Sequence, residues 1–255
     1  MLTLEKTNQV GVVTIESPPA NALSSELLQE LSETLDNIEN NRSIKALILK
    51  GEGKFFSAGA DIKEFTSLQR EKDYEILARK GQDLFERMEK FHIPILAAIH
   101  GAALGGGLEL AMACHLRIVT PTAKLGLPEL TLGIIPGFAG SQRLPRYVGA
   151  AKAYEMILTG EPISGEEAVQ LGLANHAVSE EELYDFSLKL AEKMASKSGP
   201  SIKAIMKLIP FAYTSQFEQG MDTEAKEFGK IFGNEDAKEG IQAFINKRKP
   251  NFIDK

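Results

Sequence analysis

Residues 94–114 read PILAAIHGAALGGGLELAMAC, and two features in this stretch decide the layout of the chain. The first part, closed by Gly101, is an apolar run of a length suited to a strand buried on both faces. The second sets Gly105, Gly106 and Gly107 ahead of an apolar helical run with a single charged side chain, Glu109. The order is strand, glycine turn, helix. The same plan occurs at 44–65, where IKALILKG precedes FSAGADIKEF. There Asp61 and Glu64 have capping-box spacing, which predicts a helix start near Ile62. Strands separated by helical segments predict an α/β layer structure with parallel pairing.

Outward from this centre, LTLEKTNQVGVVTIES alternates and turns at Asn8-Gln9, as a β-hairpin does. SSELLQELSETLDNIENN places Leu27, Leu31, Leu35 and Ile38 on one helical face. REKDYEILARKGQDLFERMEKF is helical again, with Leu77, Leu84, Met88 and Phe91 inward. LRIVTP and AKLGL are two more short strands. From about residue 180 the texture changes to successive helical patterns with no strand between them. A boundary at SKSGP divides a core, 1–197, from a C-terminal helical subdomain, 198–255.

Composition excludes several classes of function. The 29 lysines and arginines are outnumbered by 35 acidic residues, for a net charge of −6, which favours neither nucleic acid nor an anionic membrane. The compact basic cluster Lys247, Arg248 and Lys249 has the character of a solvated helix end. Cys114 is the single cysteine, so intramolecular disulfides and multi-cysteine metal sites are out. His92, His100, His115 and His176 show no spacing for a shared metal. The N-terminus lacks a basic region followed by an apolar stretch, and no run reaches transmembrane length. A cytoplasmic protein in its mature form is expected.

The glycine turns carry the chemistry. The first amides of a helix have no intrahelical partner and present partial positive charge. Two such turns at the ends of neighbouring strands can aim two N–H groups at one oxygen, as an oxyanion hole does. A glycine triplet can equally serve only tight helix–strand packing. Glu109 sits in the first helical turn, which favours its ionised form, among apolar neighbours, which favour the neutral one. Such opposed influences tune a carboxylate toward base work near neutral pH. The alternative for Glu109 is a buried ion pair with Arg117 or Arg143. A second acid, Glu129, stands in AKLGLPELTLGIIPG, where Pro128 suits the first position of a short helical turn, with Glu129 next and Gly133 and Pro136 ending it. Alone it is an ordinary capping carboxylate. Paired with Glu109 around an oxyanion hole, it could help split a water or move a proton beside a carbonyl. Phosphate-loop, dinucleotide and serine-elbow motifs are absent.

FSAGADIKEF, PILAAIHGAALGGGLELAMAC, AKLGLPELTLGIIPGFAGSQRLPRYVG and LTGEPISGEEAVQLGLANHAV together resemble the crotonase (enoyl-CoA hydratase/isomerase) family, in its order and spacing over nearly the whole chain. The resemblance implies a crotonase-like spiral of ββα repeats with a C-terminal helical oligomerisation subdomain. It also implies assembly as a homotrimer or a homohexamer (a dimer of trimers). It implies an acyl-CoA substrate whose thioester enolate is held by the backbone amides of Ala60 and Gly106, with Ala60, Asp61, Ile62 and Lys63 lining the CoA site. The hydratases of the family carry glutamates at the positions of Glu109 and Glu129. Its single-base isomerases usually keep only the second. The presence of both favours a lyase that hydrates a trans-2-enoyl-CoA, with isomerisation or another enolate reaction as the alternative. No metal or other cofactor is implied, since CoA arrives with the substrate. A non-catalytic RNA-binding role, known for some relatives, is disfavoured by the acidic balance. Two positions depart from the family pattern: His115, where aspartate is frequent, and Phe138-Ala139, where small residues are frequent.

Overall fold

The computed structural model describes residues 1–41, 43–66 and 70–255. The hairpin forms as expected: β1 (Leu2–Thr7) and β2 (Val10–Ile15) pair antiparallel. Asn8 makes the turn at φ 55°, a left-handed position that asparagine tolerates. After α1 (Ser25–Glu39), β3 (Ala46–Gly51) adds parallel to β2. After α2 (Ile62–Phe65) and α3 (Glu71–Glu89), β4 (Ile95–Ile99) adds parallel to β3. Next come β5 (Ala102–Leu104), α4 (Gly106–Ala113), β6 (Leu116–Val119) and β7 (Lys124–Gly126). A 3-10 turn at Glu129–Leu132 precedes α5 (Gly140–Thr159), β8 (Ile163–Ser164), α6 (Gly165–Gln170) and β9 (His176–Ala177). The chain ends in α7 (Glu180–Ala195), α8 (Gly199–Leu208), α9 (Phe217–Phe232) and α10 (Glu235–Ile245).

The large sheet has the order β1-β2-β3-β4-β6-β9, parallel from β2 onward, and a small sheet has the order β5-β7-β8. Single-residue bridges Leu23–Ala60 and Ser57–Ala103 extend the small layer back toward the earlier turns. Each turn of the spiral therefore contributes to both layers. That layering brings the glycine turns of residues 59–60 and 105–107 to one place.

The central strands β2, β3 and β4 are buried nearly throughout because both faces of the large sheet are covered there, whereas the edge strand β1 is mostly exposed. Val13, Ile15, Leu47 and Leu49 join the main core with α1, α3 and α4. Val12, Ala46, Ile48, Leu96 and Ile118 face the other way and meet Leu183, Ala191 and Ala195 of α7. Helix α1 forms as its spacing predicts. Ser24 caps it by accepting from the Leu27 N–H at 3.1 Å, and Leu27, Leu28, Leu31, Leu35 and Ile38 are buried. Each such side chain contributes about 1.5–3 kcal/mol, as an upper bound.

Three local expectations need correction. Asp61 does cap α2, accepting from Lys63 N–H, but its own N–H donates to Leu23 O. Glu64 reaches the N–H and hydroxyl of Ser25, so the reciprocal half of the capping box is not made. Leu77 is only half-buried, because the buried face of α3 begins a turn later, at Gly81, and continues through Leu84, Phe85 and Met88. Pro128 is the cap of the 3-10 turn and not its first residue.

Beyond α7 the packing thins. Among the described residues α8 buries Ala204 alone, and α9 buries none. Phe228, Phe232 and Phe244 are 66%, 58% and 85% exposed. A polar tie holds this end to the core, with Asp254 accepting from buried Lys45 at 2.7 Å, and Asp254 also accepts from Gly199 N–H at 2.7 Å within the C-terminal part. Among the described residues no helix is long and apolar enough to cross a membrane.

Candidate active site

Helix α4 starts at Gly106 after Gly105, whose φ of 52° and ψ of −129° suit glycine. Gly105 N–H donates to Gly126 O, and its carbonyl accepts from Leu108 and Glu109. Gly107 lies so close to the preceding turn that a Cβ there would stand 2.3 Å from Ser57 O. A Cβ on Gly106 would lie 3.1 Å from the Ala60 amide nitrogen, and one on Gly59 would lie 3.4 Å from the Gly106 nitrogen. The amides of Ala60 and Gly106 are thus neighbours, supplied by separate turns of the spiral. Among the described residues neither N–H donates to a backbone acceptor in a loop or turn. Two free donors side by side match the geometry of an oxyanion hole.

Glu109 follows within the first turn of α4 and is 1% exposed. Its Oε1 accepts from Phe138 N–H at 2.8 Å and from Gly140 N–H at 2.6 Å. Among the described residues no ion pair holds it. Arg143 donates to Phe138 O and pairs with Glu89 at 2.8 Å. Arg117 donates to the carbonyls of Leu173, Ala111 and Cys114. Burial pushes the Glu109 carboxyl up to about 7, against the pull of the Gly140 N–H, with the Glu129 charge pushing it further up; the Phe138 N–H and Arg143 pull it down. A buried acid with that value is divided between its two protonation states near neutral pH.

Glu129 opens the 3-10 turn, and a Cβ on Gly105 would stand 3.1 Å from its Oε1. Its Oε2 is buried without a hydrogen-bond partner. Burial raises its pKa too, opposed by its own backbone N–H. The structure therefore sets two carboxylates, both biased toward the protonated form, beside two free amides. Asp61, Ile62 and Lys63 continue from Ala60 into α2, with the Ile62 side chain 44% exposed.

The amides of Phe138 and Gly140 were missed by sequence reasoning, which singled out Phe138 and Ala139 only as departures. The available signal was Gly140 opening a helix directly after a turn, as Gly106 does. Ala139 caps α5 at φ 72°, and a Cβ on Gly140 would be 2.9 Å from both Cγ and Oε1 of Glu109. His115 lies apart from the acids. Its Nδ1 accepts from Ile95 N–H at 3.0 Å, and burial pulls its pKa down to about 4, so it is a neutral tie between α4 and β4.

Comparison with known proteins gives the family. Residues 5–255 match the family described as Enoyl-CoA hydratase/isomerase. The chain is 58% identical to a probable enoyl-CoA hydratase of Bacillus subtilis, over 95% of each chain. It is 41% identical to a short-chain-enoyl-CoA hydratase of Clostridium acetobutylicum, over 96% of this chain and 95% of that one. The crystal structure of an enoyl-CoA hydratase from Bacillus anthracis superposes with a TM-score of 0.94 at 35% identity, covering 100% of this chain and 99% of the other. The protein belongs to the enoyl-CoA hydratase/isomerase family.

Proposed function

We propose that the protein is an enoyl-CoA hydratase, a hydro-lyase that adds water across the double bond of a trans-2-enoyl-CoA to give a 3-hydroxyacyl-CoA. The observation that carries this is the convergence of two pKa-raised glutamates on two free amides. The thioester oxygen accepts from Ala60 and Gly106 N–H, which draws electron density from the double bond and stabilises the enolate. Glu109, with Oε1 engaged by two amides, uses its other oxygen to take a proton from water as the water oxygen bonds to C3. Glu129 holds the same water and delivers a proton to C2. The two acids form one coupled pair, so their apparent titrations belong to the pair.

CoA comes with the substrate along Ala60, Asp61, Ile62 and Lys63, and the reaction needs no resident metal or redox group. Cytoplasmic action and a homotrimer or homohexamer complete the proposal, with 198–255 as the oligomerisation subdomain. Support for assembly comes from the exposed aromatics of α9 and α10. A groove of about 1710 Å³ between the core and these helices also supports it. Three groups lining the groove, His92 Nδ1, Arg143 Nε and Ser198 Oγ, are buried without partners.

The experiment is product analysis with crotonyl-CoA. Loss of the conjugated thioester absorbance with formation of 3-hydroxybutyryl-CoA is expected. Double-bond migration in a longer enoyl-CoA with no hydration would replace the hydratase by an isomerase. Light scattering tests assembly, and a monomer at micromolar concentration contradicts it.

A further inference from the structure

We propose that the Phe138 ring is the wall that limits acyl length in this site, and that Gly81 on α3 is the space that admits it. The proposal rests on the hydratase assignment and names the residue that sets its substrate range. The ring is 3% exposed and stands at the donor amide: its Cε2 would lie 3.2 Å from a Cβ on Gly106. On its other side, a Cβ on Gly81 would lie 2.3 Å from Cδ1 and 2.5 Å from Cε1. Phe85 meets it edge-on, with ring centroids 5.5 Å apart and planes at 79°. Its own N–H holds Glu109, so the ring is fixed relative to the acid that faces C3.

A helix interior disfavours glycine relative to alanine. Gly81 nevertheless occupies one, and any side chain there would overlap the ring. Glycine and ring therefore form a matched pair, filling the gap between α3 and the start of α4. With the thioester oxygen at the Gly106 amide and C3 at Glu109, the ring that stands against both is the wall a longer acyl chain meets. A rigid, packed wall discriminates by excluding volume, and added methylenes are rejected by overlap.

The test measures kcat/KM for crotonyl-CoA and for its eight- and twelve-carbon homologues. Wild type, Phe138→Ala, Phe138→Leu, Gly81→Ala and the Gly81→Ala/Phe138→Ala double variant are compared. Wild type should prefer crotonyl-CoA over the eight-carbon substrate by about 10-fold or more. Phe138→Ala should shrink that ratio by about 10-fold, and Phe138→Leu should shift it the same way by less. Gly81→Ala alone should drive the ring toward Gly106 and depress activity at every length. The double variant should regain it, a rescue that depends on the contact itself. Melting curves establish which variants are folded, and the leucine variant answers the question if the alanine one does not fold. An unchanged length ratio in a folded Phe138 variant, with crotonyl-CoA still hydrated, overturns the wall alone. No hydration of any chain length by wild type overturns the hydratase assignment and the wall with it.

Discussion

The two acids stand on opposite kinds of structure. Helix α4 is buried along its whole length, Gly106–Ala113, whereas the 3-10 turn at Glu129–Leu132 buries none of its residues. Glu109 owes its position to distant parts of the chain: the 138–140 turn binds it, and Arg143 holds that turn by donating to Phe138 O. Glu129 is placed by its own neighbourhood, with Gly133 closing the turn at φ 73° and Thr131 donating to Pro128 O. Burial raises both carboxyls; what differs is how each is held, one by distant parts of the chain and the other by its own turn. Changes around Glu109 should alter the chemistry at a distance, and those around the 3-10 turn should matter mainly at Glu129 itself.

The strongest challenge to this contrast is at the locally held acid. If Glu129 is a full partner despite its locally built setting, Glu129→Gln should lower hydration kcat by about 10²- to 10⁴-fold with KM changing much less. A rate near that of wild type would reduce the site to Glu109 alone. Next in size is Gly106→Ala, which keeps the amide but adds a methyl 3.1 Å from Ala60 N and 3.2 Å from the Phe138 ring. A loss in kcat/KM of about 10²-fold is expected, the scale of one oxyanion donor. Normal kinetics in the folded variant would remove Gly106 from the hole.

Gly140→Ala is smaller and probes the distant support of Glu109. Its methyl would stand 2.9 Å from Glu109 Oε1, lengthening a hydrogen bond that favours the ionised carboxylate. An activity loss of about 10-fold is expected, with the acid limb of the pH profile moving upward. A smaller effect still is expected from pH. The base must be ionised and the acid protonated, so kcat/KM should rise through about pH 7, the value to which burial pushes Glu109, and fall again at higher pH as the pair loses its remaining proton. For stability the sign is the reverse. A raised folded-state pKa contributes stability that is fully present below the unfolded value and is lost as pH rises through the folded one. Glu109 should thus cost about 3 kcal/mol of relative stability between acid and alkaline conditions. The Tm of Glu109→Gln relative to wild type should therefore be higher at pH 8 than at pH 5. A pH-independent difference would show that the carboxyl is not strained by burial.

The same contrast explains what the sequence made legible. The β1–β2 hairpin, the apolar face of α1 and the helix after the glycine triplet are local, so periodicity and turn residues sufficed. Glu109 stood out because a charge inside an apolar run demands an explanation. The ties that hold it did not, because the Phe138 and Gly140 amides reach it across 29 and 31 positions of sequence. The Asp61–Glu64 spacing was half misleading for a related reason: Ser25, 39 positions away from Glu64, competes for its carboxylate. The pairing of Ala60 with Gly106 required the parallel layering of the spiral, which family resemblance carried and spacing alone did not.

The central claim is that the buried acid and the turn acid work on one water as a unit. Its most direct test is hydration kcat for Glu109→Gln, Glu129→Gln and the double variant, with crotonyl-CoA and with melting curves on the same preparations. Glutamine can still accept from the Phe138 and Gly140 amides but cannot take a proton, so acid–base function is separated from packing. Each single variant is expected to lose about 10²- to 10⁴-fold, and the double variant far less than the product of the two losses. A fully active Glu109→Gln enzyme, or losses that multiply in the double variant, would contradict it.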